Sequence, residues 1–404
     1  MIRRLLAALR QMPLPWILVA GLGVLLLVAV AALTGIALSR QPPVAASAPA
    51  PTTAPPAPAN TATADPAPSP GKTSPGKSKK KSASGNDPMS QAAIDARPGQ
   101  GPLPSDQEVD CPATTVPVAT SEQLNAALDS AKPGDVIGLA DGTYSGNFTT
   151  KASGTATSRI FLCGGSGAVL DAGDTSTGYV FHLDGASYWV LSGFTAQNGQ
   201  KGIVTDSSNG SVIEHLTVTN IGDEGIHLRK NSSSNLVIGN TVSHTGSHSE
   251  KFGEGIYVGT AVSNWCTYSD CVADESNYNI IAGNNISNTT AENIDIKEGT
   301  VGGVIKNNHF DGTGMTAATA WINVKGNAWT IEANEGHHSP QDGYQTHNIL
   351  DQWGDHNLFS RNTGSVDGAG YAFALRPAMN NTVACSNTVG GAGSGLSNIP
   401  CTNT

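Results

Sequence analysis

Between residues 202 and 347 one short pattern recurs: GIVTD (202–206), GIHLR (225–229), GIYVG (255–259), NIDIK (293–297), WINVK (321–325) and GYQTH (343–347). The second and fourth positions are apolar or small in each copy, the alternation of a strand that turns one face inward. Another strand-like stretch follows each copy, in the series VIEHLTV, VIGNTV, IAGNNIS, IKNNHF, IEANEG and FSRNTG, and a seventh, CSNTV, closes it. In these an asparagine, or His215, recurs at 215, 240, 284, 307, 334, 362 and 387, at intervals of 25, 44, 23, 27, 28 and 25. A period in the mid-twenties without helical signal specifies a β-solenoid, each turn stacking on the last through parallel pairing. Composition agrees: 47 glycines and 13% charged residues suit many short strands and tight turns better than helices.

Asparagines pointing inward at a bend would form a hydrogen-bonded ladder that satisfies buried turn backbone. The missing leucine pattern excludes a leucine-rich repeat, and a β-sandwich would not produce such a ladder. The 44-residue interval holds an insertion containing NWCTYSDC, expected as a disulfide-clipped loop beside a groove. Six cysteines allow 15 pairings; the preferred set joins Cys111 to Cys163 near the domain start, Cys266 to Cys271 within one loop, and Cys385 to Cys401 at the end. None has a metal-finger spacing.

The segment TSEQLNAALDSAKPGDVIGLADGTYSG (120–146) resembles the opening of right-handed parallel β-helix polysaccharide lyases of the pectate lyase-like superfamily, in particular the chondroitinase B and alginate lyase type. There a short capping helix leads through a Pro-Gly-Asp turn into the first strand. Thr120 and Gln123 can form a capping box, and a helix would cover the open end of the stack. The resemblance implies a right-handed parallel β-helix over roughly residues 115–390 and suggests activity on a polysaccharide.

The remainder of the chain divides by composition. Residues 1–14 read as a basic tail and 15–39 as a transmembrane signal-anchor, the uncharged run from Trp16 to Leu38 being long enough to cross a bilayer. Arg3, Arg4 and Arg10 ahead of that run place the N-terminus inside and the bulk of the chain outside. The alternative is a long cleaved signal peptide, with AASA (45–48) as its processing site and a secreted product. Residues 40–110 are rich in Pro, Ala, Ser and Thr, a disordered linker, and 111–404 form the β-helix domain. Of all charged residues, 12 basic and 26 acidic fall in 111–404. That balance excludes a nucleic-acid partner, which needs basic patches. Nothing indicates an oligomer, and a monomer is expected.

Aligning the repeats also gives the outward side chains. Ahead of each first strand stand Lys201, Glu224, Glu254, Glu292, Ala320 and Asp342. Third positions are Val204, His227, Tyr257, Asp295, Asn323 and Gln345; fifth positions are Asp206, Arg229, Gly259, Lys297, Lys325 and His347. With turns about 4.8 Å apart, each column is a ladder along the axis, and the three together form an exposed polar strip. The strip suits β-elimination of a uronate glycan, which needs a base for the proton α to the carboxyl group and a cation to neutralise that carboxylate. Lys297 is the expected base, its pKa depressed by Lys325 beside it, with Asp295 and His227 in the same centre. Arg229 is the expected carboxylate clamp, across a gap of about 10 Å left by Gly259 that would admit a sugar ring. Tyr257, Asn323, Gln345, His347 and Arg376 are candidate substrate contacts, and the acid column of Glu224, Glu254 and Glu292 is suited to Ca²⁺. Two other readings compete: a glycoside hydrolase using Glu254 and Glu292, about 5 Å apart on adjacent turns, and a non-catalytic β-helix that binds wall glycan.

Overall fold

The computed structural model describes residues 103–403; the expected membrane anchor and most of the linker lie outside the described residues. Among them no helix is long and apolar enough to cross a membrane. The chain winds into a right-handed parallel β-solenoid of about ten turns. Three sheets run its length, of 11, 10 and 10 strands, and successive strands within each sheet pair in parallel. One turn is Val212–Glu214, Thr217–Thr219 and Ile226–Arg229, contributing one strand to each sheet.

The inward positions fall into register. Ile203, Ile226, Ile256, Ile294, Ile322, Tyr344 and Phe373 are successive partners in one sheet, each fully buried. The aromatic end of this column stacks, with Tyr344 and Phe373 ring centroids 4.9 Å apart and their planes 9° from parallel. Each such side chain contributes about 1.5–3 kcal/mol on leaving water, so the column resists the loss of any one turn.

The asparagine ladder is present, with one rung shifted. Asn240, Asn284, Asn308, Asn334, Asn362 and Asn387 are linked in order, each backbone N–H donating to the next Oδ1 at 2.9–3.1 Å. Their side-chain amides also donate to carbonyls of the preceding turns, as Asn334 does to Ile305. The rung is Asn308, and not Asn307 as the spacing suggested; His215 also stands one place early, and Leu216 donates its N–H to Asn240 in its stead. The reason is the bend: the residue before each rung from Asn240 to Asn362 takes the left-handed conformation, at Gly239, Gly283, Asn307, Ala333 and Arg361, and His215 does so in the turn before them. Asparagine tolerates that conformation and also serves as a rung, so composition alone does not separate the two roles.

A helix, Ser121–Ser130, precedes the first full turn. The Thr120 hydroxyl accepts from Gln123 N, and the Gln123 side chain accepts from Ala119 N. Its Leu124, Ala127 and Leu128 join the core. The three disulfides are Cys111–Cys163, Cys266–Cys271 and Cys385–Cys401, as the sequence suggested. Ahead of the first of these, Val109 N donates to Glu214 and Asp106 pairs with Lys306, which lays residues 106–110 along the outside of the solenoid.

Candidate functional site

The three outward columns lie on one sheet in the expected register. Val204, His227, Tyr257, Asp295, Asn323 and Gln345 are consecutive partners across six strands. Their exposure differs from the expectation. The strip is not solvated: Asp295 is 1% exposed, and His227, Tyr257, Asn323 and Gln345 are buried. Its lysines and Arg229 are paired with Glu224, Asp295 and Asp206, which is how buried charges persist.

Asp295 is the centre. Its two oxygens accept from Lys297 at 2.5 Å and Lys325 at 2.6 Å. Burial opposes its ionisation, yet the two ammonium groups hold its carboxyl below the usual range. Lys297 is affected in the opposite sense from the expected depression. Burial alone would lower its pKa, but Asp295, with Tyr257 and Glu254, carries it well above the ordinary lysine range. Lys297 is therefore protonated, its Nζ 4.9 Å from the centre of the Tyr257 ring. Burial, against the pull of Lys297, raises the Tyr257 phenol well above its usual pKa.

Next to this centre, carboxylate oxygens of Glu254, Glu292 and Asp295 lie within 4.8 Å of one another. Burial and then the neighbouring acids, Glu224 first, push Glu254 toward its neutral form, and its Oε2 is buried without a hydrogen-bond partner. Burial and Asp295 likewise raise Glu292, whose Oε1 accepts from Asn323. An orphaned buried carboxylate oxygen beside two further acids fits one additional positive partner, a proton or a hard cation. Glu224, expected as a ligand, stands apart from this group: Lys201 pairs with it.

Arg229 is not a free carboxylate clamp. Its Nε donates to Asp206 at 2.6 Å, its Nη2 donates to the Tyr179 hydroxyl, and the Tyr268 ring covers it at 4.4 Å. Asp206 also holds Lys230 and His182, so its carboxyl is kept far below the ordinary range despite burial. Nor is the gap at Gly259 open. A Cβ there would lie 2.6 Å from Thr300 Cγ2, and the Gly259 carbonyl accepts from His227 Nε2 at 3.0 Å. Burial, with Arg229 and Lys201, keeps the His227 ring neutral. Its Nδ1 is shielded, and its ring packs edge-on against Tyr257 with centroids 4.4 Å apart, so it braces that tyrosine.

On the other side, His347 donates or accepts through Nδ1 with Asn323 Oδ1 at 2.8 Å and is kept neutral by burial and by Lys325. Gln345 donates to Asp342 and Thr319, and Arg376 donates to Asp342. These three line the same sheet, and Gln345 and Arg376 are committed to Asp342. The sequence reading missed the bracing partners Tyr179, Asp206 and Asp342. Asp206 and Asp342 stood in the aligned columns, and pairing opposite charges between neighbouring columns would have found them.

The profile of the Pel9A-like right-handed β-helix region matches residues 106–315. Among solved structures the chain is similar to an alginate lyase from Paenibacillus sp. str. FPU-7, at 36% identity over 70% of this chain and 97% of that one, with a TM-score of 0.66. It also aligns with pectate lyase Pel9A, at 18% identity over 65% of this chain and 73% of that one, with a TM-score of 0.48. No curated protein sequence matches it.

Proposed function

The chain belongs to the Pel9A-like right-handed β-helix family, and we propose that it is a polysaccharide lyase cleaving a uronate glycan by β-elimination at Tyr257, Asp295, Lys297 and Lys325. The observation that carries this reading is the Lys297 ammonium, held charged by Asp295 and set 4.9 Å from the Tyr257 ring. The similarity to an alginate lyase, which extends over 97% of that chain, makes alginate the first substrate to test.

In this reading Lys297 does not act as the base. With Lys325 it faces the substrate carboxylate and disperses the charge that develops when the α-proton leaves. Tyr257 accepts that proton, the bond to the glycosidic oxygen breaks as a carbon–carbon double bond forms, and the tyrosine returns the proton to the departing oxygen. His227 fixes the tyrosine ring, and Asn323 and His347 continue the floor along the polymer. A hard cation such as Ca²⁺ would be held by Glu254, Glu292 and Asp295 and would supply further neutralisation of the uronate. Hydrolysis by Glu254 and Glu292 is disfavoured because it needs one of the two as a carboxylate, whereas burial and the neighbouring acids push both toward the neutral form. We read the helix Ser121–Ser130 as the closure of the first turn, and the apolar run at 16–38 as a membrane tether that leaves the solenoid outside the cell.

The test is incubation of the full chain with alginate, pectate and chondroitin, following ultraviolet absorbance from unsaturated ends. Absorbance should rise on at least one, and Lys297→Ala and Tyr257→Phe should each lose about 10²–10⁴-fold in rate, the span of a positioned proton-transfer group. New reducing ends without unsaturation would replace the lyase with a hydrolase. Intact polymer throughout would leave a glycan-binding solenoid.

A further inference from the structure

Beside Tyr257, over the strands Lys201–Asp206, Ile226–Arg229 and Ile256–Val258, lies a cleft of about 220 Å³. It is smaller than the roughly 300–1,000 Å³ of sites that enclose a drug-sized ligand, and so takes one ring of a polymer. Two loops wall it. The loop before Ile256 brings Phe252, which is 54% exposed at the edge of the cleft. The insertion after Val258 brings Tyr268, whose ring lies over Arg229.

The insertion is built rather than draped. Asp274 accepts from the backbone of Lys230 and Asn231 and from the Thr260 hydroxyl. Val262 N donates to Glu298, Trp265 Nε1 donates to the Thr260 carbonyl, and Cys266–Cys271 closes the tip. Tyr268 is thus positioned before any ligand arrives, which reduces the ordering cost of binding.

The charges that line the cleft are paired. Arg229 is held by Asp206, Lys201 lies between Glu224 and Asp223, and Asp223 also accepts from Gln200. What its two loops present is the rings of Phe252 and Tyr268 with the amide of Asn264 and the hydroxyl of Thr260. That set suits the apolar face and hydroxyls of a pyranose, whereas Lys297 and Lys325 suit its carboxylate. Ile226–Arg229 and Ile294–Ile296 are two strands apart, about 10 Å, so one polymer can occupy both places.

We propose that this cleft is a sugar subsite that reads the ring and not its charge, with Phe252 and Tyr268 stacking on a pyranose of the same chain whose neighbouring uronate meets Lys297. The proposal rests on the lyase reading above and adds where the polymer's next ring lies and which chemistry it must present.

The test uses the full chain carrying Tyr257→Phe, which keeps the Lys297 charge, titrated calorimetrically with alginate oligosaccharides of increasing length. Affinity should step up at the length that first reaches the cleft. Adding Phe252→Ala or Tyr268→Ala should remove about threefold to tenfold of that step, and the loss should be the same at low and high salt. Phe252 is exposed, so its variant folds. A general folding defect would weaken every length alike and count against the subsite. An unchanged step in both variants, while the wild type cleaves alginate, overturns the subsite alone, and so does a loss that disappears in high salt. No binding at any length together with no cleavage by the wild type overturns the lyase reading on which it stands.

Discussion

Replacing Asp295 by Asn removes the carboxylate set between Lys297 and Lys325, at 2.5 and 2.6 Å from their Nζ atoms. At an effective dielectric constant of about 20 each contact is worth roughly 6 kcal/mol of attraction, most of it offset by the desolvation of the ions. The substitution leaves two ammonium groups, their side chains 14% and 9% exposed, without the counter-charge they share. Breaking a buried pair in this way costs about 3–5 kcal/mol, which for a domain of roughly 300 residues lowers Tm by about 5–8 °C. The pH dependence carries a second signature. In the wild type the folded pKa of Lys297 is raised and that of Asp295 lowered. The lysine contribution is fully present below about pH 10.4 and the aspartate contribution above about pH 3.9, so the pair stabilises evenly between them. In Asp295→Asn the main group that raises Lys297 is gone, and since burial keeps Tyr257 and Glu254 toward their neutral forms, burial and the Lys325 charge bring its folded pKa below the unfolded value. Stability of the variant should then rise with pH toward about 10, where the wild type is flat. Melting curves of both chains by circular dichroism across that range decide the matter. A variant that melts within about 2 °C of the wild type, with a parallel pH profile, would refute the buried triad.

Three further outcomes follow from the same groups. If Tyr257 takes the α-proton as a phenolate, kcat/KM should climb with pH through the neutral range and beyond, because burial holds its pKa above the ordinary value of about 10; a rate that falls above neutrality would remove Tyr257 as the base. Calcium at about a hundred times its Kd should stabilise the wild type by roughly 2.7 kcal/mol, and Glu254→Gln should abolish the shift in Tm; a wild-type Tm indifferent to calcium and to chelator would mean that the orphaned Glu254 oxygen carries a proton alone. If residues 16–38 tether the chain, the protein should sediment with membranes and resist release by high salt, and recovery in the soluble fraction would indicate cleavage instead.

The architecture was legible because its determinants are periodic and local. Ile203, Ile226, Ile256, Ile294 and Ile322 recur at intervals near one turn, and two-residue alternation tells which side chains share their face. That arithmetic placed Tyr257, Asp295 and Lys297 on neighbouring strands of one sheet in the correct register. It fails where a property depends on what lies opposite. Outward parity alone implies exposure, yet Asp295 is buried under Lys297 and Lys325, two residues in its neighbouring column. The same omission reversed the sign of the Lys297 shift: the like charge of Lys325 is visible in the spacing, whereas the shared carboxylate at 2.5 Å outweighs it. Arg229 shows the limit most clearly, because the insertion that brings Tyr268 over it has no counterpart in the repeat and no period to place it. In a solenoid the repeats supply a floor whose chemistry can be counted along the chain, while the walls come from the segments that break the count. Charge recognition therefore belongs to the periodic columns around Lys297, and ring recognition to the aperiodic loops that carry Phe252 and Tyr268. Changes confined to those loops should alter which polymers are accepted without disturbing the stack beneath them.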